Sequence, residues 1–416
     1  MRVLMISDVY FPRVTGVSTS IQTFAREFVA KGHEVTLIAP DYGSSAQEPF
    51  EIIRVPSRYL PIDPEDRILQ PFRIRGLTAS LASRGFDLLH IQTPFIAHYS
   101  GLALAKRLGI PVVESYHTFF EQYLHHYVSF VPSRWLRGAA RYFSTAQCNA
   151  VDALAVPSQA MLDVLAHYGV NTRAQVIPTG IELVQFSQGD GSRFRARYGI
   201  PPERPMLVHV SRLAFEKNIE FVLRSFARVV KQVPNALLAI AGEGPAKQPL
   251  ERLTAKLGLT DNTLFTGYLD RDGSLEDCYS AGSAFIFASR TETQGLVLLE
   301  AMALGVPVVS TAVMGTKEVL GDGRGSLIAE ENEEDFANKA IRLLTDRSLR
   351  ERLSAEAVEH ARSWSSPVLA ERMLELYEEV VEKGRGKGHP AVAANHAHSE
   401  ERGRPSAPEL TRTQAG

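Results

Sequence analysis

Two glutamates stand eight positions apart in a stretch that mixes polar and apolar residues, Glu292 in a polar segment and Glu300 in an apolar one. The pattern predicts a strand before Glu292 and a helix that opens at Gly295 and contains Glu300. A helix N-terminus offers free N–H groups and a positive dipole end, which suits an anionic ligand. An unpaired charge in an apolar helix is costly. Glu300 is therefore either a hydrogen-bonded structural acid or a carboxylate that accepts hydrogen bonds from ligand hydroxyls.

Two cations, Arg212 and Lys217, follow another predicted strand at residues 206–211. Beside a helix N-terminus they match a diphosphate, which arginine binds as a bidentate fork and lysine as a point charge. The alternative is a pair of solvated loop cations. Gly242 and Gly244 follow the next strand, where they either allow close approach of the backbone or form a turn.

In the first half of the chain, Gly16 and Val17 precede a predicted helix, and Gly16 would let the backbone close over a phosphate or sugar. The segment lacks a G-x-G-x-x-G pattern, so a dinucleotide cofactor is disfavoured. His117 follows a predicted buried strand and is either catalytic or an ordinary structural histidine. Asp270 and Asp272 match the D-x-D pattern of metal-dependent sugar transferases, but paired acids are common in turns.

Predicted strands and helices alternate along both halves of the chain, which indicates two doubly wound parallel sheets. In the first half, the predicted helices after the one that follows Gly16 span residues 72–83, 97–108, 134–149 and 159–168. Residues 180–205 are rich in Gly, Pro, Ser and charge and are predicted to be the linker between domains. Ligands of such sheets bind at the carboxyl ends of the strands, so the cleft between the two domains is the expected active site.

Composition limits the class of protein. The chain has 416 residues, 44% of them hydrophobic, a net charge of −2, and two cysteines without the spacing of a metal site. The near-neutral charge argues against a nucleic-acid binder, and the cysteine usage fits a reducing compartment without zinc. No signal peptide or membrane-spanning run is evident. A cytoplasmic protein that can still touch a membrane surface is expected.

The expected domains are residues 1–185 and residues 186–365. An amphipathic helix at 366–383 should follow. The tail at 384–416 is poor in large apolar residues and contains His389, His396 and His398; such composition favours disorder.

The stretch from Glu292 to Glu300 resembles the E-x7-E motif of retaining glycosyltransferases of family 4, which have the GT-B fold of two Rossmann-like domains facing each other across a cleft. The resemblance extends over roughly residues 1–382. Its other elements are Val-Ser-Arg-Leu at 210–213 with Glu-Lys-Asn at 216–218, Gly-Glu-Gly at 242–244, Gly-Val at 16–17 and His-Thr at 117–118.

That resemblance implies a role for each matching residue. Arg212 and Lys217 would hold the nucleotide diphosphate, and Glu292 would contact hydroxyls of the donor sugar. Glu300 would bind the ribose, and His117 would contact the sugar near the reacting centre. Donor binding would further involve Gly16, Val17, Gly242, and the backbone of Thr293, Gln294, Gly295 and Leu296. The domain at residues 1–185 would bind the acceptor and the domain at 186–365 the nucleotide sugar, and the last helix would cross back to the first domain. The cations would stabilise the leaving group without a metal, so no cofactor is expected and a divalent cation is not indicated.

An aromatic and basic segment between His117 and Phe143 provides the clue to the acceptor. Its candidate acceptor or membrane residues are Phe119, Phe120, Tyr123, His126, Arg134, Trp135, Arg137 and Arg141. A basic, aromatic helix suits anionic lipid headgroups, although core aromatics with a solvated basic face give the same pattern.

The His-Thr-x-x-Glu-x-Tyr-x-His pattern at 117–125, together with Thr-Glu-Thr-Gln-Gly at 291–295, is similar to that of the diacylglycerol glucosyltransferases within family 4. It implies a UDP-hexose donor, a diacylglycerol acceptor and peripheral binding at the inner face of the membrane. The alternatives are a GDP-mannose-dependent mannosyltransferase acting on phosphatidylinositol or another glycolipid precursor, a soluble acceptor, and, from another class, a GT-B nucleotide-sugar epimerase. The oligomeric state stays open.

Overall fold

The computed structural model describes residues 1–43, 47–59, 67–117, 133–321 and 323–386. At residues 59, 133–137, 385 and 386 it describes the backbone alone. The strands in the first part are β1 (Arg2–Ile6), β2 (Glu34–Pro40), β3 (Glu51–Val55), β4 (Ser57–Tyr59), β5 (Arg67–Leu69), β6 (Leu88–Ile91), β7 (Val112–Ser115), β8 (Ala153–Val156) and β9 (Ala174–Val176). Those in the second part are β10 (Met206–Val210), β11 (Leu237–Ala241), β12 (Thr263–Gly267), β13 (Ala284–Phe287), β14 (Val308–Ser310) and β15 (Ser326–Ile328).

The α-helices between the strands of the first part span Gly16–Ala30, Pro71–Gly76, Thr78–Ala82, Ile96–Leu108, Ser133–Cys148 and Gln159–His167. Those of the second part span Gly191–Arg197, Ile219–Gln232, Lys247–Lys256, Ser274–Ala281, Leu296–Ala303, Gly315–Leu320, Glu333–Thr345 and Arg347–Arg362. A last helix, Ser366–Gly386, is called the crossover helix below. None of the described helices is both long and apolar enough to cross a bilayer.

Two parallel sheets form the framework of the molecule. The first has the order β3-β2-β1-β6-β7-β8-β9 and the second the order β12-β11-β10-β13-β14-β15. Their central strands are short, mostly apolar runs that are buried on both faces, as parallel strands covered by helices must be. In each sheet the strand order reverses beside the first strand, β1 or β10: later strands are added on its other side. Ligands bind at such switch points.

The crossover helix belongs to the first domain, although it follows the second in sequence. Its side chains Leu369, Met373 and Tyr377 are buried in the same core as β1 and the helix Gly16–Ala30. The Tyr377 hydroxyl lies 2.5 Å from Nδ1 of His90 on β6, and Nε2 of His90 lies 2.9 Å from the Ser115 hydroxyl. The predicted fold class, including the helix that crosses back, is confirmed.

Two sequence-based expectations about elements were wrong. Residues 180–205 are not a free linker, because they contain the helix Gly191–Arg197, capped by Asp190, and bury Phe186 and Phe194 in the core of the second domain. The predicted helix at 72–83 is divided at Leu77 into two short helices. The antiparallel pair β4–β5 was not predicted. The limits proposed for the four chain segments stay predictions, and the tail from residue 387 lies outside the described residues.

Candidate active site

A cleft of about 1300 Å³ lies between the two domains. All the residues predicted to be catalytic or to bind the donor line it, namely Gly16, Val17 and His117 from the first domain and Arg212, Lys217, Gly242, Thr293, Gln294, Gly295, Leu296, Glu292 and Glu300 from the second. The structure therefore brings together residues that are up to 284 positions apart, from Gly16 to Glu300. Their individual roles stay predictions.

Lys217 and Glu292 form an ion pair inside the cleft, with the lysine ammonium donating to Oε1 of the glutamate. Both side chains are largely shielded from solvent, so the pair is less screened than a surface pair. The phosphate-binding and sugar-binding candidates thus neutralise each other's charge. An incoming diphosphate would compete with Glu292 for Lys217 and release the carboxylate to accept from sugar hydroxyls.

The loop that carries Arg212 and Lys217 is anchored at both ends. At its start, Nδ1–H of the buried His209 donates to the Ile286 carbonyl, and Nε2 lies 2.8 Å from the Ser211 hydroxyl. At its end, the Asn218 side-chain amide donates to the Ala288 carbonyl over 3.1 Å. Both anchors reach β13 or the residue after it, so the loop is held against the strand that leads to Glu292.

The glycines at 242 and 244 permit this loop to pack against its neighbour. A Cβ atom on Gly242 would lie 1.9 Å from the Ser211 carbonyl oxygen, and one on Gly244 would lie 2.4 Å from the Leu213 oxygen. The Leu213 N–H in turn donates to the Glu243 carbonyl over 2.9 Å. The sequence allowed a close approach of the backbone at these glycines, and the structure shows it: they pack against the backbone of the loop that carries Arg212 and Lys217.

Glu300 is a buried, partnered acid, only 2% exposed. Nη2 of Arg271 donates to its Oε1 over 2.7 Å, and the Tyr279 hydroxyl donates to its Oε2 over 2.8 Å. A carboxylate has about four acceptor positions, so these two bonds leave capacity for a ligand hydroxyl. Both interpretations of Glu300 drawn from the sequence are therefore compatible with its surroundings.

Sequence reasoning missed Arg271 and Tyr279. Arg271 is the middle residue of the D-x-D pattern, and its guanidinium also lies 5.7 Å from the centre of the Phe186 ring. Asp272 uses Oδ1 to accept from the Ser274 N–H at 3.1 Å, an ordinary turn contact. Across the described part of the chain, no group of three or more His, Cys, Asp or Glu is arranged to hold a metal ion. A charged residue between two turn acids was the available signal for Arg271.

Backbone N–H groups reach the cleft from two helix starts. Gly16 begins the helix Gly16–Ala30, behind Thr15, whose hydroxyl accepts from the Ser18 N–H. A Cβ atom on Gly16 would meet nothing within 4 Å, so the glycine leaves open space at this helix end. On the other side, Gly295 has a φ of +93° and precedes the helix that starts at Leu296. Two positive dipole ends therefore border the space where a diphosphate would lie.

His117 is a neutral histidine at the cleft wall. Burial lowers its pKa to about 4, and its Nε2 lies 3.5 Å from Oε1 of Gln92. At neutral pH it carries no charge, so its chemistry toward a ligand is that of a hydrogen-bonding imidazole and not of a phosphate-binding cation.

Most of the acceptor residues predicted from the sequence lie outside the described side chains. Phe119, Phe120, Tyr123 and His126 lie outside the described residues, and Arg134, Trp135 and Arg137 are described only as backbone of the helix Ser133–Cys148. Arg141 of that helix is exposed, and its guanidinium lies 5.3 Å from the centre of the Tyr168 ring.

Three histidines with lowered pKa values should make the folded protein sensitive to acid. Burial lowers the pKa of His90 to about 3 and those of His117 and His209 to about 4, from the usual 6.5. As the pH falls from 6.5 toward 4, the unfolded state binds protons that the folded state does not, so the free energy of unfolding decreases. Asp8 and Glu114 oppose this. Burial raises the pKa of Asp8 to about 6 and raises that of Glu114 above its usual value, so the folded state binds protons that the unfolded state lacks.

The histidines outnumber the two acids, so we expect the free energy of unfolding to fall by about 2–4 kcal/mol between pH 7 and pH 5. Urea unfolding at constant ionic strength measures this change. A free energy of unfolding that is constant or larger at pH 5 would show that these histidines are already protonated in the folded state.

Two facing parallel sheets with a cleft between them and a C-terminal helix that crosses back place the chain in the GT-B class of folds. The solved structure of sucrose-phosphate synthase from Thermosynechococcus elongatus has the same fold. It superposes with a TM-score of 0.76 at 21% identity and covers 92% of this chain and 99% of that one.

Family models agree with this class. Residues 14–185 match "Glycosyltransferase Family 4", and residues 190–360 match "Glycosyl transferases group 1". The alpha-monoglucosyldiacylglycerol synthase of Streptococcus pneumoniae is 34% identical over 319 residues, which are 74% of this chain and 71% of that protein. A GDP-mannose-dependent alpha-mannosyltransferase of Mycobacterium tuberculosis is 27% identical over 91% of this chain and 97% of its own length. The chain belongs to glycosyltransferase family 4.

Proposed function

We propose that this glycosyltransferase moves a glucose or galactose unit from a UDP-sugar to 1,2-diacylglycerol, with retention of configuration at the anomeric carbon. The observation that carries the proposal is the similarity to a protein named as a glucosyldiacylglycerol synthase, at 34% identity over most of both chains. The residues of the cleft supply a chemical rationale for it.

Charge develops on the leaving diphosphate as the bond from the anomeric carbon to the phosphate oxygen breaks. Lys217, Arg212 and the helix N-terminus behind Gly295 provide fixed positive charge where the phosphates would lie, so this proposal needs no metal. Glu292, once released from Lys217, accepts from sugar hydroxyls. His117, which is neutral, donates or accepts a hydrogen bond near the reacting carbon.

Retention follows if the acceptor attacks from the face that the diphosphate leaves. The glycerol hydroxyl oxygen then bonds to the anomeric carbon, and its proton passes to the departing phosphate oxygen, so no side chain forms a covalent intermediate. The sugar resembles an oxocarbenium ion during this step, and closure of the cleft around it excludes water.

An anionic membrane is the proposed location of the acceptor. Arg141 and Tyr142 are exposed on the helix Ser133–Cys148, Tyr142 to 80%. On the helix Pro71–Gly76, Phe72 is 62% exposed, and the Arg73 guanidinium lies 5.5 Å from its ring centre. Exposed aromatic rings beside arginines suit the interface of a bilayer that contains anionic lipids.

A screen of donors against lipid vesicles tests both parts of the proposal. Vesicles of phosphatidylglycerol with diacylglycerol are incubated with UDP-glucose, UDP-galactose, UDP-glucuronate or GDP-mannose, and the lipids are analysed by mass spectrometry. We expect one added hexose on diacylglycerol with a UDP-hexose and none in vesicles without diacylglycerol. Co-sedimentation should increase with the fraction of anionic lipid, and binding that ignores lipid charge would contradict the membrane proposal.

The second candidate is a GDP-mannose-dependent transferase that acts on phosphatidylinositol or another glycolipid precursor. The mannosyltransferase relative, which aligns over nearly its whole length, favours it. When phosphatidylinositol is added to the vesicles of this screen, such an enzyme would transfer from GDP-mannose to phosphatidylinositol and would leave diacylglycerol unmodified with every donor. Incubation of each donor without an acceptor separates both candidates from an epimerase, which would convert the donor alone.

A further inference from the structure

We propose that Gln294 is a positioning residue for the loop at residues 288–295, called the donor-binding loop below. It sets this loop against the opposite domain through a hydrogen-bonded bridge to the backbone of Thr179. This amide bridge consists of the Gln294 side chain and the Thr179 peptide groups. The inference extends the proposed glycosyl transfer, on which its activity readout rests, by naming the contact that aligns the two halves of the site.

The bridge joins a primary amide to both backbone groups of one residue. Gln294 Oε1 accepts from the Thr179 N–H over 2.8 Å, and Nε2 donates to the Thr179 carbonyl over 2.7 Å. The N–H needs an acceptor and the carbonyl needs a donor, so only one orientation of the amide satisfies both. Gln294 and Thr179 are 7% and 6% exposed. Two buried bonds of this kind fix both the distance and the relative rotation of the Gln294 side chain and the Thr179 backbone.

The contact continues into the first domain. The Thr179 hydroxyl donates to the Ser20 hydroxyl over 2.8 Å. Ser20 lies on the helix Gly16–Ala30, one turn after the glycine that faces the cleft. Glu292 and Gly16 are thereby joined by a short path of covalent and hydrogen bonds across the domain boundary.

The donor-binding loop is also packed on its other side. The Gly315 N–H donates to the Glu292 carbonyl over 2.9 Å, and a Cβ atom on Gly315 would lie 2.1 Å from the Thr293 carbonyl oxygen. The Thr293 hydroxyl donates to the His117 carbonyl over 3.4 Å. A shift of the loop would therefore alter the placement of Glu292 relative to His117.

Binding and transfer depend on this alignment to different extents. The diphosphate candidates Arg212 and Lys217 and the helix end behind Gly295 all belong to the second domain, so most of the proposed contacts to the nucleotide do not need the bridge. The proposed transfer needs Glu292 and His117 to contact the same sugar, and a misplacement of about 1 Å can cost about 100-fold in rate. Loss of the bridge should thus lower turnover and leave nucleotide affinity nearly unchanged.

The experiment compares Gln294→Met and Gln294→Glu with the control Gln185→Met. The Gln185 side chain donates to Glu276 over 2.8 Å, next to Phe186, which is buried in the core of the second domain, so the control removes a side-chain hydrogen bond that does not involve Thr179. Turnover, UDP affinity by calorimetry and thermal stability are measured for each protein. Spin labels on cysteines at the exposed positions Lys106 and Glu251, one in each domain, give the distribution of interdomain distances.

We expect Gln294→Met to lower turnover about 10- to 100-fold, to change UDP affinity less than about threefold and to broaden the distance distribution. Gln294→Glu should lower turnover at least as much, because a carboxylate oxygen replaces the amide nitrogen that donates to the Thr179 carbonyl, and two acceptor oxygens then face each other. Turnover within threefold of wild type would overturn the proposal, as would parallel losses of turnover, UDP affinity and stability with an unchanged distance distribution. The distance measurement needs no acceptor, so it decides the bridge even if the wild type glycosylates no lipid.

Discussion

Replacement of Lys217 by methionine is expected to lower turnover about 100- to 1000-fold, the effect of removing one preorganised group that stabilises charge in a transition state. Lys217 is the cation that already faces the sugar-binding candidate Glu292 inside the cleft. Its charge should matter most when the diphosphate departs, so turnover should fall more than UDP affinity. Steady-state kinetics with saturating UDP-hexose, together with calorimetry of UDP binding, separates the two effects.

The matched control is Lys339→Met. Lys339 is also ion-paired in the second domain, with Nζ 2.5 Å from Asp335, but it does not line the cleft. The double variant Lys217→Met, Glu292→Gln tests whether the loss arises merely from an unpaired glutamate. Recovery of turnover in the double variant, or full activity of Lys217→Met, would rule out the diphosphate role.

Substitution of Gly242 by alanine is expected to lower the free energy of unfolding by about 3–5 kcal/mol and to abolish transfer. Gly242 has a φ of +133°, and the added Cβ would lie 1.9 Å from the Ser211 carbonyl oxygen. That oxygen belongs to backbone, which cannot move aside as the end of a side chain can. Relief of the clash must displace the loop that carries Arg212 and Lys217. Urea unfolding and turnover measure the two consequences.

Gly258→Ala separates the clash from the cost of the backbone conformation. Gly258 also has a positive φ, +72°, but nothing lies within 4 Å of its added Cβ. This variant should lose only about 1 kcal/mol and retain activity. Equal losses of stability in the two variants would mean that the carbonyl of Ser211 does not restrict position 242.

The framework and the members of the site were accessible from the sequence because they depend on local patterns. Short apolar runs separated by amphipathic segments predict parallel strands and helices, and parallel strands bring their carboxyl ends to one edge. Every residue predicted there to contact the donor lines the cleft. The fold class and the glycosyltransferase family were predicted correctly, whereas the donor, the acceptor and the role of each residue stay predictions.

Partners within the site were not accessible, because pairing across the fold depends on geometry and not on spacing. Nothing near Gln294 in sequence indicates that its amide meets Thr179, 115 positions earlier. The pairing of Glu300 with Arg271 and Tyr279 is equally non-local. The composition of residues 180–205 was misleading for a related reason: Gly189 and Gly191 are needed where the backbone packs against residues 276–281, and they do not mark a flexible linker.

The crossover helix has a consequence for the order in which the protein is synthesised. Domains generally fold as units, the N-terminal one first as the chain leaves the ribosome. In this protein the first domain has its own sheet early, but Leu369, Met373 and Tyr377 of its core are added only after the entire second domain. A nascent chain that ends before them leaves apolar surface of the first domain uncovered. The two domains must therefore mature together, and the first to be translated is the last to be complete.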